Sequence, residues 1–151
     1  MSKLITQEGL KKIQEELEER RTTVRQQIAA AIKEAKEQGD LSENAEYSEA
    51  KRQQAENEAR VSELEFLLKE SQVVSYDKNS GSAQIGSKVK VKYNGSEIEF
   101  QIVGSNEADP KEMKVSNESP MGKSFLDKQK GDKVEVETPT GKMKYTILDV
   151  K

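Results

Sequence analysis

Gln38-Gly39-Asp40-Leu41 is the only break between two long stretches of helical periodicity. Upstream, from Thr6 to about Gln38, there is no Pro and the only Gly is Gly9. Apolar side chains fall there at Leu10, Ile13, Leu17, Val24, Ile28, Ala31 and Ala35, with a lapse at Arg20 and Arg21. This is the stripe of an amphipathic helix. Thr6 suits its N-cap, and Glu8 lies in the first turn, where the helix dipole favours an acid. Downstream, Tyr47, Ala50, Gln54, Asn57, Val61, Leu64 and Leu68 make an unbroken ladder of three- and four-residue steps. With Gly39 placed to end the first helix, so short a connection makes the two helices antiparallel neighbours.

Folding the chain at the bend sets Leu64 opposite Leu17, Asn57 opposite Val24 and Tyr47 opposite Ala35. The stripes then face each other as in a two-stranded antiparallel coiled coil, with Gln54 and Asn57 as polar members that fix register. About 31 residues at 1.5 Å each give a finger roughly 45 Å long. The segment from Ser75 to Ala83 breaks the helical period and reads as a linker. Beyond it the period is two: Val89, Val91 and Tyr93 alternate with Lys88, Lys90 and Lys92, and Asn94-Gly95 signals a tight hairpin into Ile98, Phe100 and Ile102. Val134 and Val136, a turn at Pro139-Thr140-Gly141, and Met143, Tyr145 and Ile147 repeat the pattern. Ser119 and Pro120 suit the cap and first position of a short helix. The expected fold is therefore α+β: a coiled-coil finger over 1–74, a linker over 75–83, and a small antiparallel sheet with one short helix over 84–151.

Composition agrees with a chain that has little core. Charged residues make up 35% of the 151 residues, and Leu, Ile, Val and Phe only about a fifth. The absence of Cys and His removes disulfides, thiol nucleophiles, imidazole bases and the usual Zn, Cu and haem sites. No stretch approaches 18 apolar residues, and the N-terminus lacks an apolar signal segment, so a soluble, cytoplasmic protein without membrane contact is expected. Residues 1–74 carry 12 Lys or Arg against 16 Asp or Glu, and residues 75–151 carry 13 against 12. Neither half is the basic body of a stand-alone DNA binder.

The bend is where chemistry is concentrated. Asp40 and Glu43 are three apart across a helix start, which fits a capping box. It also fits a pair of carboxylates converging on one cation, and spacing leaves both open. Leu41 is apolar at the apex of a solvated finger, so something is expected to cover it. Two carboxylates hold Mg²⁺ poorly unless a partner completes the shell. Lys33, Lys36, Lys51 and Arg52 lie near the bend, either as a solvated flank with acidic neighbours or as a short track for a phosphate backbone.

Five stretches carry a family likeness. They are Ala35-Lys36-Glu37-Gln38-Gly39-Asp40-Leu41-Ser42-Glu43-Asn44-Ala45-Glu46-Tyr47, Asn57-Glu58-Ala59-Arg60-Val61, Ile102-Val103-Gly104-Ser105-Asn106-Glu107-Ala108-Asp109, Ser119-Pro120-Met121-Gly122-Lys123 and Gly131-Asp132-Lys133-Val134-Glu135-Val136. In these the chain resembles, nearly end to end, the bacterial Gre transcript cleavage factors, on the GreA branch of that family. The resemblance implies a coiled-coil finger followed by a globular domain like the FKBP peptidyl-prolyl isomerases. It implies a monomeric, non-enzymatic accessory factor that docks on RNA polymerase and inserts the finger into the secondary channel. There it stimulates the polymerase's own cleavage of the nascent RNA 3′ end in backtracked complexes. On this likeness Asp40 and Glu43 assist the polymerase site and share a Mg²⁺ with it. Leu41, Ser42 and Asn44 complete the tip, Lys33, Lys36, Lys51 and Arg52 form the RNA-contacting patch, and Ser119, Pro120 and Met121 meet polymerase.

The chain departs from the family pattern at Arg52, Glu56 and Ala59, where an acidic residue, an aromatic and a Gly are usual. Gly122-Lys123 stands where Ala-Arg is usual, and Asp127 where Gly is common. Rival readings are an antagonist on the same scaffold that occupies the channel, a coiled-coil adaptor without chemistry, and an autonomous nuclease. The last has too few ligands for a two-metal site.

Overall fold

The structure is a computed structural model that describes residues 3–40, 44–75, 77 and 80–151. It divides into two compact units, Leu10–Glu70 and the combination of Met1–Gly9 with Ser71–Lys151.

In the first unit a continuous helical run comprises α1 (Gln7–Glu19), a π-helical turn (Arg20–Val24) and α2 (Arg25–Glu37), and α3 (Ala45–Glu70) returns beside it. Cross-helix pairs fix the antiparallel sense: Glu16 meets Arg60, while Arg25, farther along the first run, meets Glu58, and Ala35 meets Asn44. Leu17, Val61 and Leu64 form the apolar heart of the seam, flanked by Ile13, Leu67 and Leu68. Every member of the Tyr47-to-Leu68 ladder is buried or half-buried, as the spacing predicts.

The first stripe departs from its expected course at one position. Ala31 is exposed, and Ile32 takes its place in the seam. Seam positions run Leu17, Arg20, Val24, Ile28, Ile32 and Ala35, so three consecutive steps are of four residues. An α-helix repeats every 3.6 residues and drifts out of the seam over such a run. A wider π turn absorbs the excess, and it lies where the apolar pattern lapses.

The other unit is a five-stranded sheet built from β3 (Lys88–Tyr93), β4 (Ser96–Val103), β5 (Lys114–Ser116), β6 (Lys133–Thr138) and β7 (Gly141–Val150). Their order is β5-β4-β3-β7-β6. Neighbours are antiparallel except β4 and β5, which pair in parallel, so the sheet is mixed rather than wholly antiparallel as expected. The β3–β4 hairpin turns at Asn94 and Gly95, whose φ values of 50° and 81° are those a tight I′ turn demands. Val89 and Val91 point inward between exposed lysines. With Phe100, Ile102, Val134, Val136, Tyr145 and Ile147 they form the core, closed by Phe125 of α4 (Pro120–Phe125). Tyr145 packs edge-on against Phe125 and Phe100, with centroids 5.7 and 6.4 Å away.

Both chain segments flanking the finger pair with each other inside this unit. Lys3–Ile5 (β1) and Ser71–Val73 (β2) form a parallel two-stranded ladder, and Ile5 is buried. The sheet unit therefore claims residues 1–9 and 71–74, which periodicity assigns to the finger. Three-residue strands abutting long helices leave no period to read. The expected linker is likewise built in at its end, where Ala83 is fully buried and its backbone bonds with Lys128 and Asp127.

Glu107 organises the junction of β1 with the sheet unit. Its carboxylate accepts from the Thr6 and Gly104 backbone amides, both at 3.0 Å, and from the Thr6 hydroxyl. That hydroxyl in turn accepts from the Gly9 amide at 3.0 Å, the N-cap expected of Thr6. Gly9 and Gly104 are glycines for want of space. A Cβ would lie 2.1 Å from a Glu107 carboxylate oxygen at one and 1.9 Å from the Leu4 carbonyl at the other.

Candidate functional site at the bend of the finger

α2 ends at Glu37 and is C-capped by Gln38, whose amide bonds back to the Ala35 carbonyl, and Gly39 follows with φ of 129°. Such a value is open to glycine and strained for other residues. Asp40 comes next and is exposed. Leu41, Ser42 and Glu43 lie outside the described residues, so the expectations placed on them and on the Asp40–Glu43 pair stand as sequence readings.

The second helix starts at Ala45, two residues before the first member of its apolar ladder, Tyr47, and Asn44 is its cap. Asn44 Oδ1 accepts from the Tyr47 amide at 3.1 Å, the N-cap to third-residue bond. Its Nδ2 donates to the Ala35 carbonyl at 2.7 Å. One side chain thus starts α3 and satisfies a carbonyl in the last turn of α2. Asn44 caps α3 at its start, a role that a sequence reading, which places it only at the tip, does not give it. Asn is a favoured cap, and that was the available signal.

Of the four basic residues, Lys33 and Lys36 are exposed and make no ion pair with a described residue. Lys51 Nζ donates to Gln54 Oε1 at 3.0 Å. Arg52 is committed differently. It grips Glu49 through two hydrogen bonds and also pairs with Glu56 one turn along α3. The Arg52 guanidinium holds the Glu49 carboxyl down to about 2. At spacings of three and four residues such pairs form within one helix face, and for Arg52 they match the reading of a solvated flank with acidic neighbours. Glu56 stands at a position where the family usually carries an aromatic.

Among the described residues no three Asp or Glu side chains converge as a cation site. The exposed Asp40 carboxylate suits a hard cation such as Mg²⁺ only as a minority ligand of a shell completed elsewhere.

In the sheet unit, Ser119 caps α4. It accepts from the Gly122 amide at 3.0 Å and donates to the Ser116 carbonyl at 2.7 Å. Pro120 is exposed, while Met121 leans half-buried against the core. Of the three residues that depart here, Gly122 and Asp127 have a local structural context, and nothing in the structure explains Lys123. A Cβ on Gly122 would stand 1.9 Å from the Ser116 carbonyl oxygen. Asp127 has φ of 66°, the left-handed conformation that Asp tolerates better than most residues.

Two family models divide the chain between them. One described as "Transcription elongation factor, N-terminal" matches residues 3–73, and one described as "Transcription elongation factor, GreA/GreB, C-term" matches residues 78–151. Transcription elongation factor GreA of Clostridium acetobutylicum is 49% identical over 151 residues, covering 98% of this chain and 96% of its own length. GreA of Thermoanaerobacter pseudethanolicus is 48% identical over 98% of this chain and 96% of its own. The solved GreA factor homolog 1 of Thermus thermophilus aligns over 100% of this chain and 99% of its own at 28% identity, with a TM-score of 0.45. No described helix is long and apolar enough to cross a membrane. On the two domain matches and the near-full-length identities, the chain belongs to the Gre family of transcription elongation factors, close to GreA.

Proposed function

We propose that this elongation factor binds RNA polymerase and acts through the tip of its finger on backtracked complexes. On this reading the finger enters the polymerase secondary channel and brings Asp40 and Glu43 to the extruded RNA 3′ end. The observation that carries it is the exposure of Asp40 at the bend, between α2 and an α3 that Asn44 caps and ties back to Ala35.

A Mg²⁺ bound between polymerase and the tip would stabilise the attacking and leaving oxygens of phosphodiester hydrolysis. Asp40 would help hold that ion, and Glu43 would help position the ion or the attacking water. Lys33, Lys36 and Lys51 offer ammonium groups to the phosphates of the extruded RNA, with Arg52 available only at the expense of its two glutamate pairs. Pro120 and the exposed side of α4 form the polymerase-docking surface, with Ser119 and Met121 holding that helix in place. The hydrolysis belongs to polymerase, and the chain is an accessory rather than an enzyme.

Incubation of end-labelled RNA with the protein, with and without polymerase, tests the accessory role. Release of 3′ fragments only from backtracked polymerase complexes is expected. Cleavage of free RNA by the protein alone would replace this reading with an autonomous nuclease.

A further inference from the structure

Asn57 is a polar residue in the least solvated part of its seam, only 3% exposed. Both its polar atoms are used on one partner. Nδ2 donates to the Arg20 carbonyl at 3.1 Å, and Oδ1 accepts from the Arg20 guanidinium at 3.1 Å. Arg20 is the first residue of the π turn. Cavities lined by Val24, Ile28 and Gln53 on one side and by Ala29 and Gln54 on the other flank Asn57. Apolar packing is therefore not what holds the turn at this height. The second helix keeps an unbroken three-four ladder opposite, so the whole mismatch between the two stripes is taken up at one place.

We propose that Asn57 pins the extra residue of the first helix at Arg20–Val24, and thereby sets the face on which the finger presents Asp40. Asn57 is then a positioning residue for the tip, a role that rests on the function proposed above. A side chain inserted into the backbone ladder is a recognised way to hold such an irregularity. Without the Asn57 donor, the surplus residue is released toward the bend. Each residue it passes then turns by one α-helical step, about 100° around the axis. The carboxylate at Asp40 would be carried off its line of approach with no change in its own chemistry.

The chain has no Cys, so paired thiols report register cleanly. In the full chain, Ile13→Cys with Leu68→Cys probes the side of the π turn away from the bend, and Arg25→Cys with Glu58→Cys probes the bend side. A short bismaleimide is the crosslinker. Asn57→Leu is expected to keep the first crosslink and lose the second, together with stimulated RNA cleavage in the otherwise unmodified chain. Deleting Thr22, an exposed residue of the π turn, from the Asn57→Leu chain removes the surplus and is expected to restore both the second crosslink and cleavage.

An unchanged second crosslink in Asn57→Leu would overturn the proposal. Loss of both crosslinks would do so too, by making Asn57 a general packing residue. Lost register with undiminished cleavage would overturn the positioning role. If the unmodified chain stimulates no cleavage, the proposed function fails, while the two crosslinks still decide the register claim.

Discussion

Asn44 and Ala35 are joined across the bend by a 2.7 Å hydrogen bond from the asparagine amide to the alanine carbonyl. The same side chain caps α3 through the Tyr47 amide. The end of one helix and the start of the next therefore share a single organising residue, and Asp40 lies exposed between them.

Asn44→Ala removes the cap and the cross-bend bond together. A lost cap costs about 1 kcal/mol and the orphaned carbonyl a comparable amount, so the finger should lose about 2 kcal/mol in urea titration. Asn44→Asp retains the acceptor for Tyr47 but has no donor for Ala35. It should fall between the two, and equality of Asp with Ala would deny the cap.

Gly122 and Asp127 make opposite predictions. At Gly122 the added methyl of Ala meets the Ser116 backbone at 1.9 Å, so Gly122→Ala must displace α4 or the Ser116 loop. A loss of about 1–3 kcal/mol, typical of overpacking, is expected. Asp127→Gly relieves a left-handed non-glycine residue, and the relief is partly offset by the entropy that glycine gains in the unfolded chain. Its thermal midpoint should stay level or rise.

Glu16 carries a pH signature. Hydrogen bonds from Arg60, with help from Arg20, lower its carboxyl from the ordinary 4.5 to about 2, against a smaller opposing effect of burial. The folded-state value lies below the unfolded one, so the contribution is complete above about 4.5 and is lost as pH falls toward 2. Comparison of the native chain with Glu16→Gln by circular dichroism melting should give a gap that is constant near neutrality and closes in acid. A gap that persists at about pH 2 would contradict the assignment. Both partners are a third exposed, so the gap should be small, as solvent screens such pairs.

Much of this architecture is legible in the sequence where one period holds without competition. The 3-4 ladder from Tyr47 to Leu68 gives α3, and Asn94-Gly95 between alternating runs gives the β3–β4 hairpin. Legibility fails where two periods collide. Assigning Ala31 to the seam assumes an unbroken α-helix, and the π turn at Arg20–Val24 hands that place to Ile32. Three-residue strands such as Lys3–Ile5 are too short to show alternation, and their parallel pairing depends on a partner some seventy residues away. At the candidate site, the acids at the bend are evident from residue type. The capping role of Asn44 and the capture of Arg52 by Glu49 and Glu56 depend on where the helix starts and which residues share its face, which spacing fixes only to within a turn.

On the function proposed above, Asp40 serves polymerase at the tip of the finger. Stalled, backtracked elongation complexes with labelled RNA should be compared with no factor, the native chain and Asp40→Ala, with binding to polymerase measured in parallel. The native chain should accelerate release of 3′ fragments, and Asp40→Ala should bind equally well yet lose most of that acceleration. Equal stimulation by native and Asp40→Ala chains would contradict it.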